Sequence, residues 1–240
     1  MAFLRKPDPC LGPQLKVLDE AVRMALRDPV GLPDFALRAH GAGVLKELTT
    51  PKPPSKSLQD PEKPSINPGR SSRFAEPLGP DVALTDDMHI GKCWSVPDVK
   101  AQLGIRLSEM IYPTHVSIDH IPAEIAADAG AAPRSMVLWG AVDGPQNEVL
   151  LEELGLRNAL SSFIARSAPP VSFGYIFIPL AAFDYDIHAS STVQTFPVHQ
   201  AIIDSRMYVG VVVLEITDNW GGNGTCLYRI RVHGHPLRSP

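Results

Sequence analysis

Apolar residues in this chain recur mostly at every second position, in short runs separated by Gly, Pro, Asn and Asp. Period-two alternation marks strands with one buried face, and the turn residues between runs mark their ends. The clearest pair lies near the end of the chain. Val209–Ile216 (VGVVVLEI) runs into Asn219, Trp220 and a Gly-rich loop, and residues 227–233 (LYRIRVH) alternate again after it. This predicts two antiparallel strands around a loop that is packed, because a tryptophan beside a turn needs a pocket. Further strands are predicted over 101–107, 115–120, 135–140, 174–183 and 192–198. Residues 35–48 are read as the start of the sheet, with Gly41 and Gly43 permitting a bulge or turn.

Helical spacing is rarer. Leu15, Leu18, Val22 and Ala25 form one apolar stripe over residues 14–27, and Asp28-Pro29 with Gly31 and Pro33 end it. Fourteen residues are too few for a coiled coil, so the stripe is expected to pack on the domain or lead into it. Residues 151–165 also read as helical, weakened by Gly155. From 49 to 80 the pattern stops: residues 51, 53, 54, 61, 64, 68, 77 and 80 are all proline, which predicts a long loop without regular structure. Many short strands with Gly/Pro turns and no repeated helix argue for an all-β chain, a β-sandwich rather than βαβ units.

Composition narrows the classes. The 240 residues suit one large domain, and 44% apolar content can fill its core. A net charge of -4 gives no electrostatic case for nucleic acid. Arg229 and Arg231 point the same way on a strand and are expected on a solvated face. The opening MAFLRKPDPC does not read as a signal peptide, and no run approaches the ~20 apolar residues of a membrane span. Cys10, Cys93 and Cys226 show no C-x-x-C spacing, so zinc has little support and at least one thiol is unpaired within a monomer. A free buried thiol fits Cys93, which precedes Trp94.

The search for catalysis finds little. Asp119 and His120 are neighbours, and neighbours on a strand face opposite ways. His188, Ser190 and Ser191 near Asp184 and Asp186 are ordinary turn composition. There is no G-x-S-x-G elbow, H-E-x-x-H helix or phosphate-binding loop. Asp86-Asp87 alone falls short of the converging oxygens a hard metal needs. Trp94 and Trp139 are read as core aromatics. Asn223-Gly224-Thr225 fits an N-glycosylation acceptor at Asn223. The chain is not expected to be an enzyme.

A series of blocks, in order, carries a family resemblance. RDPVGLPDFALRAHGAGVLK over 27–46 resembles the opening of the SUN domain, where a helix leads to D-[FY]-A-L and a glycine-rich strand. Gly91-Lys92-Cys93-Trp94 resembles its G-x-C-W block. Arg106-Leu107-Ser108, then 111–113, 119–122 and Ala132-Pro133 with 137–140 come next in order, and N-W-G to V-H-G closes the series. Coverage runs from about residue 15 to 236. The resemblance implies a galactose-binding, jelly-roll-like β-sandwich over 32–236, after a tail (1–13) and a helix (14–28). It also implies a function. SUN domains of inner nuclear membrane proteins bind C-terminal tails of KASH proteins in the perinuclear space, forming the LINC bridge between nucleoskeleton and cytoskeleton. The active family form is a homotrimer driven by preceding coiled coils, although this fragment could be monomeric. A lid hairpin pairs with the tail as added strand.

The same resemblance implies the site residues. The family joins the positions of Cys93 and Cys226 by a disulfide, where two reduced core cysteines are the alternative. Its cation loop falls on 82–92, making the carbonyls of Val82, Thr85, Asp87, Lys92 and Tyr228 candidate ligands for K+. Family members hold the tail carboxylate with a histidine, a serine and a tyrosine; here these positions are His120, Ala132 and Gly224. Each missing hydroxyl removes a donor to a charged oxygen, worth about 1.5–3 kcal/mol. The proline-rich 49–80 stretch replaces the lid, and its prolines lack donors for strand addition. The chain therefore resembles a divergent, fungal-type SUN domain with a modified tail mode. The rival is a monomeric scaffold that has lost carboxylate-dependent binding and contacts other nuclear-envelope or ER proteins.

Overall fold

A computed structural model of the chain describes residues 30–50 and 78–237. The helix expected over 14–28, Cys10 and most of the proline-rich stretch lie outside the described residues. The chain divides between Leu32 and Pro33, and every described strand and helix belongs to the unit that starts at Pro33.

Among the described residues nine strands carry it: β1 Gly43–Thr50, β2 Trp94–Val96, β3 Ala101–Asp119, β4 Ser135–Val142, β5 Ile176–Asp184, β6 Val193–Pro197, β7 Val209–Ile216, β8 Thr225–Leu227 and β9 Arg229–Pro236. Seven form one sheet in the order β1-β3-β7-β4-β5, with β6 and β9 both pairing with β3, and β2 pairs with β8 in a separate two-stranded sheet. Every pairing is antiparallel. Short helices α1 Pro145–Glu153, α2 Leu156–Ala159 and α3 Gln200–Ser205 interrupt the strands. The expectation of an all-β chain is corrected to a mixed fold dominated by antiparallel sheet.

The two strands predicted at 101–107 and 115–120 are one. β3 is 19 residues long and changes partners along its length. Its first half pairs with β1 and β7, its second half with β6 and β9. Inward apolar positions are odd-numbered from Leu103 through Ile111, then even-numbered at Val116 and Ile118. A one-residue slip reverses every side chain, and the register shift between Pro113 and His115 absorbs it. The helix predicted over 151–165 begins earlier, at Pro145, and breaks at Gly155, whose φ of 56° is left-handed. The last predicted strand is cut at Tyr228, which leaves the line between β8 and β9.

Both faces of β4 are covered. Met136, Leu138 and Val142 join the main core with Leu103, Ile105, Val212 and Leu214. Val137, Trp139 and Ala141 join a second cluster with Leu48, Phe177 and Val213. Strict alternation within one strand thus feeds two cores. Trp94 and Trp139 are buried, as expected of core aromatics. Trp139 also donates its indole N–H to Glu215 Oε2 at 2.9 Å, while Arg166 pairs with Glu215 Oε1 at 2.7 Å and lies over the indole.

The arginine pair departs most from expectation. Arg229 and Arg231 are 6% and 4% exposed, not on a solvated face. Arg231 Nε meets both oxygens of Asp119 at 3.0 Å, and its Nη2 meets Oδ2 at 2.5 Å. Arg229 Nη2 meets Asp34 Oδ2 at 2.9 Å. Both buried charges are paired, Arg231 through several contacts to Asp119 and Arg229 through Nη2, with its buried Nε left without a hydrogen-bond partner among the described residues. Asp34 Oδ1 also accepts the amides of Ala36 and Val232, and Phe35 bonds backbone to backbone with Val232 and Ser108. The D-F-A-L segment is therefore a clasp that fastens the start of the unit across β9 and β3.

Candidate functional site

The loop after β7 is built by one side chain. Asn219 Oδ1 accepts the Gly221 amide at 2.9 Å, and its Nδ2 donates to the carbonyls of Gly222 (3.0 Å) and Gly224 (2.9 Å). An amide with both donors and its acceptor engaged fixes a loop that has no ladder of its own. Trp220 docks as predicted: its backbone amide donates to Ala132, its indole to the Tyr185 carbonyl, and Arg134 lies over its ring. The Gly222 amide reaches the Gly130 carbonyl at 2.9 Å, laying this loop against residues 130–132.

A second tether comes from β8. Cys93 and Cys226 form a disulfide with Cα atoms 5.5 Å apart, so the free-thiol alternative is set aside. It sits beside the Ser95–Cys226 pairing of the small sheet. On the same side the Tyr228 hydroxyl accepts the Gly91 amide at 3.1 Å. The 82–92 loop is thus held at its end by a covalent bond and a hydrogen bond.

These tethers border a groove of about 600 Å³ lined by residues that include His120, Asp128, Asn223, Gly224, Cys226 and Tyr228. His120 is 3% exposed, and its Nε2 has no hydrogen-bond partner among the described residues. Its Nδ1 lies 2.8 Å from the Ile121 carbonyl, which can only accept, so in the neutral ring the proton is on Nδ1 and Nε2 carries a lone pair. Burial lowers the pKa of His120, partly offset by that carbonyl. The Tyr228 ring meets His120 edge-on at 4.8 Å, and the Tyr185 ring lies tilted to it at 6.0 Å. Burial, with Asp119 and Asp186 nearby, pushes the Tyr185 hydroxyl up to about 12, and it donates to Thr192.

Of the three expected anchor positions, His120 and Gly224 line the groove. Ala132 is fully buried and is not part of the lining. A Cβ on Gly224 would sit 2.5 Å from the Val96 carbonyl, so no side chain fits there without moving the small sheet. Asn223 is exposed on the groove's edge. Asp128, also on the lining, spends Oδ1 on the Gly130 amide. His188 packs edge-on against Trp220 rather than facing Ser190 or Ser191 as a base. Among the described residues no three His, Cys, Asp or Glu side chains gather to hold a metal, and Asp87 instead turns to His89 and Lys92.

The five candidate carbonyls are neutral oxygens, a donor set that suits a weakly hydrated monovalent cation. The Val82 carbonyl already accepts both the amide and the hydroxyl of Thr85, which makes it the poorest ligand of the five. Sequence reasoning missed the Tyr228 hydroxyl and the Asn219 side-chain amide as builders of the site. Only Asn219 had a visible signal, an amide directly before the loop's tryptophan and glycines.

The model of the family "Sad1 / UNC-like C-terminal" matches residues 75–178 and 169–236. The chain belongs to this family. "SUN domain-containing protein 5" of Mus musculus is 26% identical over 239 residues, covering 98% of this chain and 52% of that protein. "SUN domain-containing protein 3" of Bos taurus is 28% identical over 212 residues, covering 87% and 48%. The chain spans about half the length of these curated relatives. Among solved structures, a family 32 carbohydrate-binding module from Streptococcus pneumoniae EndoD aligns at TM-score 0.47 and 12% identity over 84% of this chain and 99% of that one, too distant to bear on function. Family membership makes the chain a non-catalytic scaffolding module.

Proposed function

We propose that this SUN domain is lumenal, part of an inner nuclear membrane protein, and binds the C-terminal tails of KASH proteins across the perinuclear space. The observation that carries this reading is the buried His120, whose unpartnered Nε2 lines a groove large enough for an extended chain terminus. As the neutral ring Nε2 accepts; it donates to a carboxylate only when it takes up a proton. With Ala132 and Gly224 in place of hydroxyl residues, the anchor relies on His120 and on groups of the Asn219 loop. The disulfide supports an oxidising compartment. The carbonyls of Val82, Thr85, Asp87, Lys92 and Tyr228 would hold K+, whose role is to stiffen the 82–92 loop beside the groove. Closure of the sheets into a jelly-roll-like sandwich, a homotrimer in the full-length protein and a divergent, fungal-type lineage belong to the same reading.

Calorimetric titration tests it. A KASH tail and its C-terminally amidated copy are titrated into the chain alone and into the chain fused to a trimeric coiled coil. Binding that is lost on amidation is expected. No binding by the enforced trimer sinks the reading. One observation favours the rival scaffold: the Gly224 backbone lies so close to Val96 that the tyrosine of the carboxylate anchor cannot be accommodated. In that reading the trimer ignores both peptides, and the groove serves another contact.

A further inference from the structure

Asn223 stands on the rim of the groove with nothing in the fold to account for it. The chain holds asparagine at 67, 147, 158, 219 and 223, and only Asn223 is followed two residues on by Ser or Thr. Asn147 and Asn219 spend their side-chain amides inside the structure. The Asn223 side chain is exposed and has no hydrogen-bond partner among the described residues. Turn chemistry does not explain it either. An Asn-Gly pair commonly supplies positive φ at both positions, and neither Asn223 nor Gly224 has one. Gly224 is required by its approach to the Val96 carbonyl, where a Cβ would sit at 2.5 Å. Asn223 meets no such demand.

The residues that follow are committed to the interior. Thr225 is 1% exposed, and its hydroxyl donates to the Val99 carbonyl at 2.9 Å. It pairs with Val96 across the small sheet, and Cys226, which pairs with Ser95, is bonded to Cys93. An enzyme that reads Asn-Gly-Thr as an acceptor needs the threonine hydroxyl, and in the folded chain that hydroxyl is out of reach. The asparagine faces outward while the residue that marks it is sealed, so the motif is readable only before β8 pairs with β2. Cys93 is synthesised long before Cys226, and Cys226 follows Asn223 almost at once. At ~5–20 residues per second of synthesis, and seconds or longer for a disulfide to form, the acceptor is open until that bond closes.

We infer that Asn223 carries an N-linked glycan, attached before the Cys93–Cys226 bond closes, and that the sugar screens the groove from a peptide tail. Attachment presupposes the lumenal placement proposed above, because the donor, an oligosaccharide on a lipid diphosphate, belongs to the secretory compartments. In the transfer Asn223 Nδ2 bonds to the anomeric carbon of the sugar and loses one proton to a base. The bond from that carbon to the diphosphate oxygen breaks, and the lipid diphosphate leaves with the electron pair. Nothing is oxidised or reduced. The product is a bulky, hydrated group rooted on the same groove as His120 and Tyr228.

The test routes the chain through the secretory pathway of eukaryotic cells behind a cleavable signal peptide, and reads its mass before and after an amide-cleaving glycosidase. A glycosidase-sensitive form is expected, and Asn223→Gln should abolish it. Its share should rise in Cys93→Ala/Cys226→Ala, where no disulfide closes the window; this readout needs no folded protein. A routed chain with no glycosidase-sensitive mass overturns the inference, as does a form that survives Asn223→Gln. Occupancy indifferent to the cysteines overturns the order of events. A routed chain that is modified beside an unmodified full-length native protein refutes the lumenal placement and not the acceptor. In titration with a KASH tail the glycosylated chain should bind roughly tenfold or more weakly than Asn223→Gln. Equal binding overturns the screening, and binding by neither form refutes tail recognition while the mass shift still decides the glycan.

Discussion

Removing the Cys93–Cys226 bond is the sharpest test of how the groove is held. The two residues are 133 apart in sequence, so the bond closes a long loop in the unfolded chain. The chain-entropy relation for that loop length gives a stabilisation of about 5 kcal/mol, the upper end of what native disulfides contribute. A urea slope of about 2–3 kcal/mol per molar turns this into a midpoint shift of roughly 2 M. The comparison is Cys93→Ala, Cys226→Ala and the double variant, unfolded in urea and followed by tryptophan fluorescence. Each single change already abolishes the bond, so the double variant should unfold close to the singles rather than at the sum of their losses. The local effect should be larger than the global one. β2 and β8 are three residues each, and while Ala83 and Leu84 anchor the start of the 82–92 loop in the main core, its end is held beside them by the disulfide, the Tyr228–Gly91 hydrogen bond and the packing of Met88. Amide exchange in residues 88–96 should therefore quicken more than in β3 or β7. An unchanged midpoint in the double variant, or equal protection across the loop and the core strands, would refute the tether.

Two other perturbations probe the interior. Arg231→Met leaves the buried Asp119 carboxylate without the partner that meets both its oxygens, and should cost about 3–5 kcal/mol in urea unfolding. The double variant Asp119→Leu/Arg231→Met should recover much of that; a single-variant loss within about 1 kcal/mol would mean that the pair is solvated. Burial lowers the pKa of His120 and His233, each also bonded to a backbone carbonyl that raises it again. Because the folded values lie below the ordinary 6.5, this stability is present above pH 6.5 and is lost as acid takes the pH down through the folded values. The urea midpoint should fall from pH 7 to pH 5, and less steeply in His233→Gln; a midpoint that rises on acidification would contradict the sign.

Much of the sheet was legible because its strands alternate or run apolar. Val209–Ile216 is a nearly continuous apolar run, buried on both faces from Val212 to Ile216, and appears as β7 with the boundaries read from sequence. β4 is nearly so, two residues longer than expected. The failures share a cause: alternation reports a face, not a neighbour. β3 was split because its phase changes at a bulge, and a change of phase looks like an end. α3 was missed since Gln200–Ser205 is too short to show a period. Arg229 and Arg231 were placed in solvent by residue type. What buries them lies far away in sequence, at Asp34 and Asp119, and no local pattern announces a partner nearly two hundred residues upstream.

The same distinction governs the candidate site. Its pieces were legible by family resemblance, and the structure gathers His120, Cys93, Cys226, Gly224 and Tyr228 on one groove. How they act together was not legible, because it depends on backbone approaches that leave no composition signal. Gly224 shows this best. As a missing tyrosine it reads as a loss of one hydroxyl, repairable by substitution. In the structure its Cα faces the Val96 carbonyl so closely that a restored side chain would push β8 off β2, where the disulfide is anchored. The departure from the family anchor is therefore built into the small sheet itself. In the proposed tail mode a carboxylate is met by His120 and by backbone groups of the Asn219 loop, with no side chain from position 224.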